Sequence, residues 1–133
     1  MRNQQLGGQP KTYLKIAESL LLDRSDKCRW QASIVVGDFI DSDPEAVWSV
    51  VGRFIRRGET RGSDALSLCV VEHLLEQDFQ RYFPRLKALW HDGHDLAKEL
   101  LEYCWAFGDA KRHWHLVEQF LQDNDGRRHL QEK

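Results

Sequence analysis

SDPEAVWSVVGRFIRRG, residues 42–58, carries every local signal of a helix from start to stop. Ser42 or Asp43 can accept hydrogen bonds from the free N–H groups of the first turn. Pro44 lacks the donor that would be left unpaired there, and Glu45 completes a capping box with Ser42. Val47, Val50, Val51, Phe54 and Ile55 follow at spacings of three and four, which places them on one helical stripe. Gly58 then supplies the stop. A strand reading fails, because period-two alternation is missing here.

Working outward, the same period recurs. Upstream, Tyr13, Leu14, Ile16, Ala17, Leu20 and Leu21 predict a helix over 11–23. Ser25 or Asp26 then caps a second helix containing Cys28, Ala32, Ile34, Val35, Val36, Phe39 and Ile40. Its Ile-Val-Val run is the best strand candidate in the chain. No second alternating segment or Asn-Gly turn is present to pair with it, so it reads as helix. Downstream, Ser63-Asp64 opens a helix whose apolar set, from Ala65 to Leu75, covers most of its circumference. Such a helix is a central one, packed on several neighbours. Asp78 caps a fifth helix, with Pro84 predicting a kink or a separate first turn. Asp95 caps a sixth that carries Leu96 through Cys104, Trp105 and Phe107 to Gly108, and Asp109 starts a seventh.

The expected fold is therefore all-α: about seven helices in antiparallel hairpins over 11–41, 43–77 and 79–108, plus a capping helix. The spacing of the hairpins suits a stacked, HEAT- or armadillo-like array, with a compact helical bundle as the alternative. Residues 1–10 read as a flexible lead, 11–122 as one domain, and 123–133 as a frayed tail. The chain has 133 residues, 41% apolar and 30% charged, with a net charge of −2. That composition excludes a disordered polyelectrolyte and a fibrous repeat. No apolar run reaches the ~18–20 residues of a membrane span, and no secretory leader is evident, so a cytoplasmic protein is expected. Cys28, Cys69 and Cys104 are odd in number and lie in apolar helical patterns, which predicts free thiols. Five Trp, six Phe and three Tyr fall mainly at core spacings.

Three groups of residues bear chemistry. His91-Asp92-Gly93-His94-Asp95 sets two imidazoles and two carboxylates in five residues, the ligand types of a metal-dependent hydrolase. The structural account of the same residues is a turn at Gly93, a cap at Asp95 and a histidine at a helix C-terminus. His113 and His115, on one predicted helix, are about 200° apart and cannot face a shared ion. His73 and Glu76, one turn apart, fit a histidine hydrogen-bonded to its neighbour. Phosphate-loop, dinucleotide-turn and nucleophile-elbow motifs are missing, so no catalytic residue and no cofactor is assigned. Asp38, Asp41, Asp43 and Glu45 form an acidic segment, while Arg53, Arg56, Arg57 and Arg61 form a basic turn. Both signs suit the helix ends they occupy, and together with Trp48 they are the candidate partner-binding residues. The arginines are also the candidates for phosphate contacts in a nucleic-acid complex, although the net-acidic body argues against that partner.

Asp43-Pro44-Glu45-x-x-Trp48, then Ala65-Leu66 and Glu72-His73-Leu74-Leu75, then Phe79, Phe83, Trp90 and Trp105 resemble a pattern found in small, uncharacterised bacterial helical families. The resemblance covers roughly residues 30–107 and rests mostly on capping and core positions. It implies a helical-repeat interaction module, similar in some cases to immunity proteins that neutralise a toxin. It carries no catalytic residue. The expectation is a non-catalytic protein that binds and occludes a protein partner.

Overall fold

A computed structural model describes the backbone of residues 9–132 and the side chains of 11–124. Among the described residues the fold is all-α, with seven helices and no strand. They are α1 (Gln9–Ser19), α2 (Asp26–Gly37), α3 (Pro44–Arg57), α4 (63–77), α5 (Phe79–His91), α6 (Leu96–Tyr103) and α7 (Gly108–Glu132). The helical backbone of α7 continues through Asp123, where the sequence predicts fraying. Of the expected lead, residues 1–8 lie outside the described residues.

Capping explains most of the boundaries. Ser25 accepts the Cys28 N–H at 3.2 Å and starts α2. Asp43 accepts the Ala46 N–H at 3.1 Å and starts α3, which ends at Gly58 with φ 74°. The expected capping box does not form. Ser42 Oγ donates to the Phe39 carbonyl instead, and Glu45 reaches across to α5. The α3 stripe is as expected: Val47, Val50, Val51, Phe54 and Ile55 are all buried, each contributing roughly 1.5–3 kcal/mol of transfer free energy.

Helix α4 is central, as its all-round apolarity predicts. It packs on α2, α5, α6 and α7. It is not uniform: Ser63–Leu66 and Glu72–Gln77 are α-helical, and Ser67–Val71 between them is a π-helical turn. In that turn the Glu72 N–H bonds the Ser67 carbonyl, admitting one extra residue. Neighbours hold the widened turn. Ser67 Oγ donates to the Leu100 carbonyl of α6 at 2.8 Å. Gly37 of α2 approaches so closely that a Cβ there would overlap the Cys69 carbonyl oxygen.

Two elements end earlier than expected. Helix α2 stops at Gly37, and residues 38–42 form turns. Helix α6 stops at Tyr103 rather than Phe107, because Cys104 is extended (φ −77°, ψ 149°). The next backbone donor, Trp105 N–H, is taken by Glu72 Oε2 at 2.9 Å and is lost to the helix. Helix α5, by contrast, is assigned continuously through Pro84. Pro84 has no N–H to give the Gln80 carbonyl, and both residues are exposed. Asp78 occupies the cap position of α5 without making the capping bond. Asp109 Oδ2 accepts the Phe79 N–H at 3.1 Å in its place.

Candidate functional site

The early end of α6 exposes aromatic side chains. Tyr103 is 43%, Trp105 69% and Phe107 49% solvent-exposed. The sequence assigns Trp105 and Phe107 to the core on helical spacing, and the structure corrects that assignment. Once the helix stops at Tyr103, the 3.6-residue period no longer aims these rings inward.

The segment that carries them is fastened at both ends. Cys104 Sγ donates to the Leu100 carbonyl at 3.3 Å. Trp105 is fixed through its backbone to Glu72, a carboxylate only 6% exposed. Gly108, with φ 53°, lies against Glu76 so tightly that a Cβ would collide with that side chain and crowd its carbonyl oxygen. The loop is thus an anchored display of large aromatic side chains, a combination enriched at interface hot spots.

Beside it runs a groove of about 610 Å³ between α2 with its following turn, α4, and the start of α7. Ile34, Leu68 and Cys69 contribute its apolar surface, and Asp38, Asp41 and Glu76 contribute carboxylates. None of its lining residues is Lys or Arg, so the groove is acidic. His73 Nδ1 lies 3.1 Å from Glu76 Oε2, the predicted pair, on the exposed side of α4. Burial, with help from the nearby Glu72 carboxylate, pushes the thiol pKa of both Cys69 and Cys104 upward. Cys28 shifts the same way. All three are free and half-buried, and their thiols are not activated as nucleophiles.

The remaining predicted residues are dispersed. Asp38 and Asp41 line the groove, whereas Asp43 is the α3 cap. Glu45 and Trp48 face α5. Glu45 accepts from Tyr82 Oη at 2.9 Å and from Arg85 at 2.9 and 3.0 Å, and the Trp48 and Tyr82 rings are 5.8 Å apart. The Arg85 guanidinium, hydrogen-bonded to Glu45, holds that carboxyl below the usual glutamate range. Trp48 is half-buried in this cluster, with the Arg85 guanidinium over its ring.

Three of the four arginines fasten α1 and the turn that follows it to the rest of the fold. Arg53 bonds Glu18 with two nitrogens, at 2.7 and 2.8 Å, and Arg57 approaches the same carboxylate at 3.9 Å. Arg61 donates to the Leu22 carbonyl at 3.0 Å. Arg56 lies exposed over Gly52. In the His91–Asp95 loop, Asp92 and Gly93 form the turn after α5, and His91 lies against the Trp90 and Phe120 rings. The His94 N–H donates to the Leu89 carbonyl. Among the described residues, no group of three or more His, Cys, Asp or Glu side chains is placed to hold a metal ion. No described helix is long and apolar enough to cross a membrane.

Sequence reasoning missed Trp105, Phe107 and Glu76 as site residues. The available signal was Glu72, an acid within the most apolar helix of the chain, which demands a buried hydrogen-bond donor. No family model, curated protein or solved structure matches the chain.

Proposed function

We propose that the chain is a non-catalytic protein-binding module that docks a partner on the 103–107 loop and the adjacent acidic groove. The observation that carries this reading is the exposure of Trp105 on a backbone tied to buried Glu72. An isolated exposed Leu or Val needs no explanation, but three large aromatic side chains exposed within five residues concentrate apolar surface in one short segment. Covering them with a partner removes from water the exposed part, about half to two-thirds, of the roughly 150–250 Å² that each such side chain can bury.

Charge selects the partner. Asp38, Asp41 and Glu76 leave the groove with three carboxylates and no lining Lys or Arg, so the segment that fits carries Lys or Arg beside an apolar side chain. Long-range attraction would speed encounter and discriminate against acidic competitors. An occluding role of the immunity or inhibitor kind is consistent with a rigid surface of this sort, and it rests on the resemblance of residues 30–107. The acidic edge of the sequence reading is retained in part, through Asp38 and Asp41. Glu45, Arg53, Arg57 and Arg61 are already engaged within the chain and are not needed for the surface.

The test is affinity capture from the native host with the wild-type chain and with Trp105→Ala, Phe107→Ala and Glu76→Lys. Proteins retained by the wild type and lost with each variant are the expected result. Equal recovery by all four baits would overturn the reading.

A further inference from the structure

A second surface lies on α1 and α2, meeting the acidic groove at Ile34 and Asp38, which belong to both. Tyr13 and Ile16 of α1 are 51% and 53% exposed, and Ile34 of α2 is 52% exposed with Val35 beside it. Between the two helices runs a largely apolar groove of about 420 Å³, to which Ala17, Leu20, Cys28 and Phe39 contribute. On α2 the outward stripe is Lys27, Gln31, Ile34 and Asp38, all exposed and spaced by four, three and four residues.

The two charges on that stripe occupy the wrong ends of their own helix. Lys27 lies in the first turn, where unpaired N–H groups concentrate positive potential, and Asp38 is the C-cap, where carbonyls concentrate negative potential. Asp26, which does suit the N-terminal end, is tied to Arg29 at 3.1 Å. Among the described residues, neither Lys27 nor Asp38 forms an ion pair.

We infer that this face is a homodimer interface, in which α2 lies antiparallel to α2 of a second copy across a two-fold axis beside residues 32 and 33. The two charges of the stripe are complementary about that axis. Lys27 of one copy meets Asp38 of the other, and Gln31 meets Ile34, each contact occurring twice as an isologous interface requires. Antiparallel pairing also brings each misplaced charge to the favourable end of the opposite helix. Tyr13, Ile16 and Val35 flank the seam and bury their apolar surface there. Two helices of 11 and 12 residues present less than the ~800 Å² per partner of a standard interface, so the dimer is weak and depends on concentration.

Sedimentation velocity on the full chain, from about 1 to 500 µM, reads the monomer–dimer equilibrium directly. The expected result is a concentration-dependent dimer that shifts at least about tenfold toward monomer with Lys27→Asp or with Asp38→Lys. The double exchange Lys27→Asp/Asp38→Lys restores it. Ile34→Glu also dissociates it, with circular dichroism verifying that each variant is folded, and Trp105→Ala leaves it unchanged. Three outcomes overturn the inference: a monomer throughout, a dimer indifferent to the single charge reversals, or an α1–α2 face protected from hydrogen exchange in a monomer.

Discussion

The backbone N–H of Trp105 donates to Oε2 of Glu72 across 2.9 Å, joining residues 33 apart in sequence. This bond ends α6 and sets the position of the exposed tryptophan. Glu72→Ala leaves a partly buried donor unsatisfied and is expected to cost about 1–3 kcal/mol, measured by urea denaturation. Glu72→Gln keeps an oxygen acceptor and is expected to cost less. Trp105→Ala, which removes an exposed ring, leaves stability within about 0.5 kcal/mol of wild type. That contrast separates the residue that positions the loop from the residue it displays.

Gly37→Ala tests the crossing of α2 with the π-helical turn. The added Cβ meets the Cys69 carbonyl oxygen, a backbone atom that cannot rotate away. The expected loss is about 1–3 kcal/mol, the usual cost of overpacking, whereas alanine would otherwise be the better helix former at this position. A neutral or stabilising effect in thermal or urea unfolding would contradict the close approach.

Glu45 and Arg85 give a pH dependence of definite sign. The Arg85 hydrogen bond lowers the Glu45 pKa in the folded chain. The pair's contribution to stability is therefore present above the unfolded glutamate value of about 4.3 and is lost as pH falls through the lower folded value. An NMR titration of the Glu45 carboxyl should place its midpoint below that of an unperturbed glutamate, and Arg85→Ala should move it upward. The stability change is small, because the pair is largely exposed.

The cysteines are expected to be sluggish. Burial pushes the Cys104 thiol well above its ordinary range, so its reactive thiolate remains scarce even as pH rises past the ~8.5 at which a free cysteine ionises. Competitive alkylation followed by mass spectrometry should find Cys104 modified last in the folded chain. In denaturant the three thiols should react at similar rates.

The signals legible in the sequence were local ones. Asp43, Pro44 and Gly58 bound α3 from within a few residues of its ends, and the apolarity of α4 on all sides foretold its central place. What escaped depends on partners far along the chain. Asp109 supplies the bond that Asp78 was expected to make, and Arg53 closes on Glu18 from 35 residues away. Periodicity assigns Trp105 and Phe107 to the core only for as long as α6 continues. The carboxylate that ends it belongs to another helix, so no window on residues 96–107 contains the cause. The acidic segment was half legible: Asp38 and Asp41 line the groove, but Tyr82 and Arg85 take up Glu45.

The most direct test of the binding account is the affinity of a captured partner, purified and titrated calorimetrically against the wild-type chain and Trp105→Ala. The account predicts at least about a tenfold loss, the 1.4 kcal/mol expected for truncating a tryptophan hot spot. A smaller loss should follow from Glu76→Lys, and none from Arg56→Ala. Equal affinity for wild type and Trp105→Ala would contradict it.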